Sequence, residues 1–99
     1  MVGIKLTKWD VVEHLQTDQD MIGYFDACLA DGDPALIAAA LGDIAKARGM
    51  SQVSKDTGLS RENLYRALSG VGNPEFSTII KVTKALGLTL HASSEPANA

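Results

Sequence analysis

Arg61, Asn63 and Arg66 fall within one short stretch of the chain. Arginine carries a planar fork of donors that can pair with guanine through two hydrogen bonds, and asparagine can do the same for adenine. Glu62, Tyr65 and Ser69 lie among them, so the stretch is dense in groups suited to base edges and phosphates. Slightly upstream, Ser51 and Gln52 offer a short hydroxyl and an amide where backbone N–H groups at a helix start can hold a phosphate. The competing reading is an ordinary helical hairpin whose polar side faces water. Catalysis is not expected: no nucleophile stands beside a base, and neither a metal-ligand cluster nor a phosphate loop is present. No cofactor and no metal are expected.

Two short helices joined by a turn would position these side chains. The first is expected over residues 51–57, with Ser51 as its N-cap. Gly58 marks the reversal, because glycine reaches positive φ without a steric penalty. Leu59 points inward, and Ser60 caps the second helix with its hydroxyl. Leu64, Ala67 and Leu68 then share one side of that helix. Glu62, Tyr65, Arg66 and Ser69 share the other, with Arg61 and Asn63 at its flanks. Val53, Leu59 and Leu64 can make the small core that locks the pair.

The rest of the chain reads as further helices. Residues 2–7 alternate loosely, with Ile4 and Leu6 on one side. Asp10 and Glu13 resemble a capping box, and Trp9, Val12 and Leu15 fit a short docked helix. Thr17 and Asp20 repeat the capping pattern before a helix over residues 18–30, with Met21, Ile22, Phe25, Cys28 and Leu29 on its apolar stripe and Tyr24 and Asp26 off it. Asp33 caps a third helix and Pro34 suits its first position. The Asp31–Asp33 spacing is read as punctuation rather than a metal site. Leu36, Ile37, Ala40, Leu41 and Ile44 form that helix's inner face, and Gly49 closes it. A loop over residues 71–74 precedes a helix ending near Leu86, with Phe76, Ile79, Ile80, Val82, Thr83 and Leu86 inward. Residues 88–92 alternate and read as a short strand. His14 and His91 are expected at the surface.

The net charge of −3 argues on its face against a polyanionic partner, but its distribution reverses that. Residues 1–44 hold two lysines against eight acids, a balance of −6. Residues 45–85 hold seven basic residues against three acids, a balance of +4. The candidate base-reading stretch therefore lies in the basic part, and the acidic front half suits a different task, either solvation or docking of a basic protein. One cysteine, no basic-then-apolar leader and no apolar run of membrane-spanning length point to a reducing cytoplasm.

In its segments 49–52, 57–60, 64–68 and 85–88, the chain resembles the Cro/CI type of DNA-binding domain. More narrowly, Trp9-Asp10, Tyr24-Phe25, Gly32-Asp33-Pro34, the segment 40–45, Gly49-Met50-Ser51-Gln52, the segment 64–68 and Gly72-Asn73-Pro74 make it similar to the addiction-module antidote proteins, a HigA-like antitoxin family. The similarity spans nearly the whole chain in order. It implies a bacterial operon partner, usually a small basic RelE/ParE-like toxin, and autorepression of the shared promoter by a dimer on operator DNA. The expected fold is all-α: a five-to-six-helix, lambda-repressor-like domain with N-terminal helices and a short C-terminal strand. One domain is expected over 1–99, with an N-terminal helical extension over 1–32, a helix-turn-helix core over 33–88, and a short strand and tail over 89–99. Two departures stand out. Ser54 occupies a position where such domains usually carry alanine, so its hydroxyl needs a backbone acceptor. Trp9 replaces a smaller aromatic. A stand-alone repressor and a toxin-binding module without DNA binding are the other readings.

Overall fold

The computed structural model describes residues 14–71 and 73–94. The expectations placed on residues 2–7, on Trp9, Asp10, Val12 and Glu13, and on Gly72 lie outside these residues. Five helices lie within the described residues: α1 (Asp18–Asp31), α2 (Pro34–Arg48), α3 (Met50–Thr57), α4 (Arg61–Ala67) and α5 (Phe76–Ala85). The all-helical expectation therefore holds for this region.

Local chemistry sets the ends. Thr17 accepts from the Asp20 N–H while the Asp20 carboxylate accepts from the Thr17 N–H, which completes the capping box of α1. Those backbone donors hold the Asp20 carboxyl below its usual pKa. Asp33 Oδ1 accepts from the Ala35 N–H, and Pro34 opens α2. The Asp31–Asp33 pair is thus helix punctuation. Ser51 is not the cap of α3: the helix begins one residue earlier, at Met50, with Gly49 at the N-cap and no side chain bonded there. Met50 is buried, and that anchor draws the helix start toward the core.

The core sits around α2, which touches all four other helices. Its central residues Ala38, Ala40, Leu41, Gly42, Asp43, Ile44 and Ala45 are buried almost all round. Small side chains permit this crowding. At Gly42 they are required: a Cβ there would stand 2.7 Å from the Leu68 carbonyl oxygen at the end of α4. Leu15, Met21, Phe25, Cys28, Val53, Leu64, Leu68, Val82 and Leu86 complete the cluster. Burial pushes the Cys28 thiol above its usual pKa, as fits a core cysteine. Inside the same layer, the Tyr24 hydroxyl donates to Asp43 Oδ2 at 2.9 Å. At the edge, Arg48 reaches from α2 to Asp18 on α1 at 2.6 Å.

Three helix faces are narrower than their sequence suggests. Ile22, Leu29, Leu36 and Phe76, all expected inward, are exposed. On α1 the buried stripe is Met21, Phe25 and Cys28, spaced by four and then three residues; Ile22 and Leu29 are each one step further round. Leu36 lies in the first turn of α2, and Phe76 is the first residue of α5, where each helix has yet to reach the core.

The expected strand over residues 88–92 does not form. The segment has no regular secondary structure, and no strand occurs among the described residues. Its period-two pattern reports alternate burial, since Leu88 and Leu90 are half-buried against the helical core. Its start is occupied in ending α5: the Leu88 N–H donates to the Thr83 carbonyl and the Gly87 N–H to the Lys84 carbonyl, the pair of bonds that makes a Schellman motif.

Candidate nucleic-acid interface

The connection between α3 and α4 is closed by side chains as well as by backbone. Gly58 adopts φ 78°, and its N–H donates to the Ser54 carbonyl. The Ser54 hydroxyl donates to the Leu59 carbonyl at 2.6 Å, which supplies the acceptor this serine needs. Thr57 Oγ1 donates to the Val53 carbonyl and accepts from the Leu59 N–H. Ser60 Oγ then accepts from the Asn63 N–H at 3.0 Å, capping α4 as expected. Leu64 and Leu68 are buried beneath the helix and Val53 beneath its partner. The orientation of α4 thus rests on a fully bonded turn and a dry inner face.

That inner face leaves Arg61, Glu62, Asn63, Tyr65, Arg66 and Ser69 exposed together, all on the outside of the α4 region. They are not independent. An Arg66 guanidinium nitrogen donates to Asn63 Oδ1 at 3.0 Å, so the two groups with bidentate capacity form one linked unit. The Ser69 hydroxyl turns back to the Arg66 carbonyl and accepts from the Val71 N–H, so its role is to hold the chain after α4. Ser51 and Gln52 are exposed in the first turns of α3. The Gln52 amide donates to Asp56 Oδ1 at 2.8 Å, one turn further along α3.

Sequence reasoning missed two contributors. Lys46, near the end of α2, places its ammonium 5.8 Å from the Tyr65 ring centroid and adds a cation to the same side. Val71, Asn73 and Glu75, from the connection into α5, join Asn63 and Arg66 around an open groove of about 610 Å³. The loop residues gave no periodic signal; only their polarity and nearness to α4 in sequence marked them. The site as a whole offers arginine, asparagine and lysine donors beside a groove, with Glu62 and Glu75 as interspersed acids. Such a surface can bind an anion and make hydrogen bonds with directional selectivity. No group of three or more His, Cys, Asp or Glu side chains that could hold a metal occurs among the described residues.

A small helical domain with a capped, polar-faced helix beside a polar groove is the class these features define. Residues 5–94 match the family model described as a probable addiction module antidote protein, and the chain belongs to that family. A protein of Haemophilus influenzae (strain ATCC 51907 / DSM 11121 / KW20 / Rd), described as an uncharacterized protein, is 51% identical over 84 residues, covering 85% of this chain and 87% of that protein. No solved structure matches significantly. Family membership carries an antitoxin role in a toxin–antitoxin pair and implies a toxin partner. No helix among the described residues is long and apolar enough to cross a membrane.

Proposed function

We propose that the chain is a sequence-specific DNA-binding antitoxin that represses its own operon and neutralises a RelE/ParE-like toxin in the cytoplasm, acting by binding and without catalysis. The observation that carries the DNA half is the outward face of α4: Arg61, Asn63, Tyr65 and Arg66 stand exposed on a helix whose inner side is locked by Leu64 and Leu68. In this reading α3 and α4 form a helix-turn-helix of Cro/CI type, with α4 in the major groove and the first turn of α3 against a phosphate. A toxin-binding module alone would have no use for the linked Asn63–Arg66 fork. One such helix reads only a few base pairs, so the acting species is a dimer on a palindromic operator, with half-site centres roughly 34–36 Å apart or a multiple of that.

Gel-shift titration against the DNA upstream of the chain's own gene tests this. Arg66→Ala and Asn63→Ala should each weaken binding by roughly 1–3 kcal/mol while leaving weak binding to unrelated DNA in place. Wild-type affinity for Arg61→Ala, Asn63→Ala, Tyr65→Ala and Arg66→Ala alike would remove the α4 face from the argument.

A further inference from the structure

The side of the molecule formed by α1, the start of α5 and the segment after α5 carries an apolar surface that no other described residue covers. Phe76 is 72% exposed, Ile22 48% and Leu29 38%. Two depressions meet there, of about 280 and 310 Å³, and both are walled by Phe25 and Leu29. Leu90 and Ile79 line the first, and Leu88 and Ile22 the second. Clustered exposed side chains of this size on a small domain mark an interaction surface more often than solvent-tolerant decoration.

Charge selects the occupant. Among the described residues, Asp26 and His91 are the only ionisable ones lining either depression. Asp26 is the carboxylate on the α1 wall of the groove, and no lysine or arginine among the described residues lines either depression. A second copy docked about a two-fold axis that set α1 against α1 would bring Asp26 toward its own copy, a like-charge contact that a basic partner replaces with an attractive one. A partner with apolar anchors flanked by lysine or arginine meets the surface with matching shape and opposite sign.

Resting on the antitoxin role that family membership carries, we infer that this groove is the toxin-docking surface, and that it takes a cationic amphipathic segment of the toxin, with apolar side chains seated over Phe25 and Leu29 and basic ones beside Asp26. Asn73 and Pro74 line this groove and also the groove beside α4. An occupant here therefore sits one loop away from the proposed DNA face and leaves α4 uncovered.

The full chain is titrated with a synthetic helical peptide of about 18 residues, leucine at i, i+3, i+4 and i+7 and lysine elsewhere, alongside a second peptide with glutamate replacing lysine. Saturable one-to-one binding of the lysine peptide is expected, with NMR shift changes at Ile22, Leu29, Phe76 and Leu90. Affinity should fall about tenfold or more in Ile22→Ser, Phe76→Ser and Asp26→Lys, while operator binding by these variants stays at the wild-type level. Equal binding of both peptides, or shift changes centred elsewhere, overturns the inference. So does sedimentation showing a dimer that Phe76→Ser dissolves, because the occupant is then a second copy. Co-expression with the toxin of its own module separates the two levels. Variants that neutralise it as well as wild type does end the docking inference alone. A wild-type chain that fails to neutralise ends the antitoxin reading and the docking inference with it.

Discussion

The Ser54 hydroxyl donates a 2.6 Å hydrogen bond to the Leu59 carbonyl across the turn that joins α3 to α4. The bond gives the half-buried hydroxyl a backbone acceptor. Ser54→Ala removes it and should cost about 1 kcal/mol, the net value of one such bond. Thermal unfolding should show a Tm drop of roughly 4–8 °C. A higher Tm in the alanine variant would mean that the hydroxyl is a net burden and that the turn is held by Gly58 and Thr57 alone.

Two glycines in helices should respond oppositely to the same substitution. A Cβ at Gly23 meets nothing within 4 Å, so Gly23→Ala should gain up to about 1 kcal/mol from helix propensity. At Gly42 the Cβ would lie 2.7 Å from the Leu68 carbonyl oxygen and 3.3 Å from Leu68 Cβ. Backbone cannot swing aside, so an overpacking cost of roughly 1–3 kcal/mol should outweigh the propensity gain. Chemical denaturation of both variants checks the pair. Equal shifts in one direction would show that α2 and α4 are less tightly apposed than this geometry requires.

The difference between those glycines was not legible in the sequence, and the reason is general. Caps and turn residues act within three or four positions, so Thr17 with Asp20, Asp33 with Pro34, Gly58 and Ser60 could each be read locally. The outward face of α4 was legible for the same reason, since the periodicity of seven residues fixes which side Leu64 takes. How many apolar residues a helix buries depends on neighbours far away in sequence. Ile22 and Phe76 continue apolar patterns past the point where a partner helix covers them. Asp43 is the opposite case: a polar side chain in the middle of an apolar helix that is buried and accepts from Tyr24 on another helix. The alternation over residues 88–92 was real, but alternation records burial and says nothing of a pairing strand.

The capping box gives α1 an acid-sensitive start. Backbone donors from Thr17 and Gln16 favour the ionised Asp20, so its carboxyl sits below the ordinary aspartate value in the folded chain. A depressed folded-state pKa contributes stability that is fully present above the unfolded-state value, and that stability is lost as pH falls through the folded-state value. The helix start should therefore loosen as pH is taken below about 3.9. Asp20→Asn should flatten that dependence. Amide exchange at Asp20 and Met21, followed as pH is lowered, reads it directly; identical profiles in both proteins would detach the cap from the titration.

Tyr24 and Asp43 couple α1 to α2 through a polar contact in an apolar layer. Tyr24→Phe leaves the buried carboxylate short of one donor, at a cost of roughly 1.5–3 kcal/mol, the range for hydrogen bonds to charged groups. Burial, and then the Asp43 bond, push the Tyr24 phenol above its ordinary value. A raised folded-state pKa contributes stability that is complete below the unfolded-state value near 10 and declines as pH rises beyond it. The wild-type chain should therefore lose stability above pH 10 more steeply than Tyr24→Phe does. Parallel losses would place the alkaline transition at other groups.

The Arg66–Asn63 bond makes a stronger demand on DNA binding than either residue does alone. Asn63 Oδ1 accepts from the guanidinium at 3.0 Å, which limits the directions in which the Arg66 fork can point. If Arg66 reads a base from that position, removing Asn63 removes its own contact and also frees the arginine to wander, an entropic loss of the kind that accompanies an immobilised long side chain. The effects of Asn63→Ala and Arg66→Ala should then overlap. In a double-mutant cycle on operator DNA, the double variant should lose less than the sum of the singles, with a coupling of about 0.5–3 kcal/mol, the range for residues in contact. On unrelated DNA, where only phosphates are bound, the coupling should vanish. Strict additivity on the operator would mean that the two side chains part company when DNA arrives and act on separate bases.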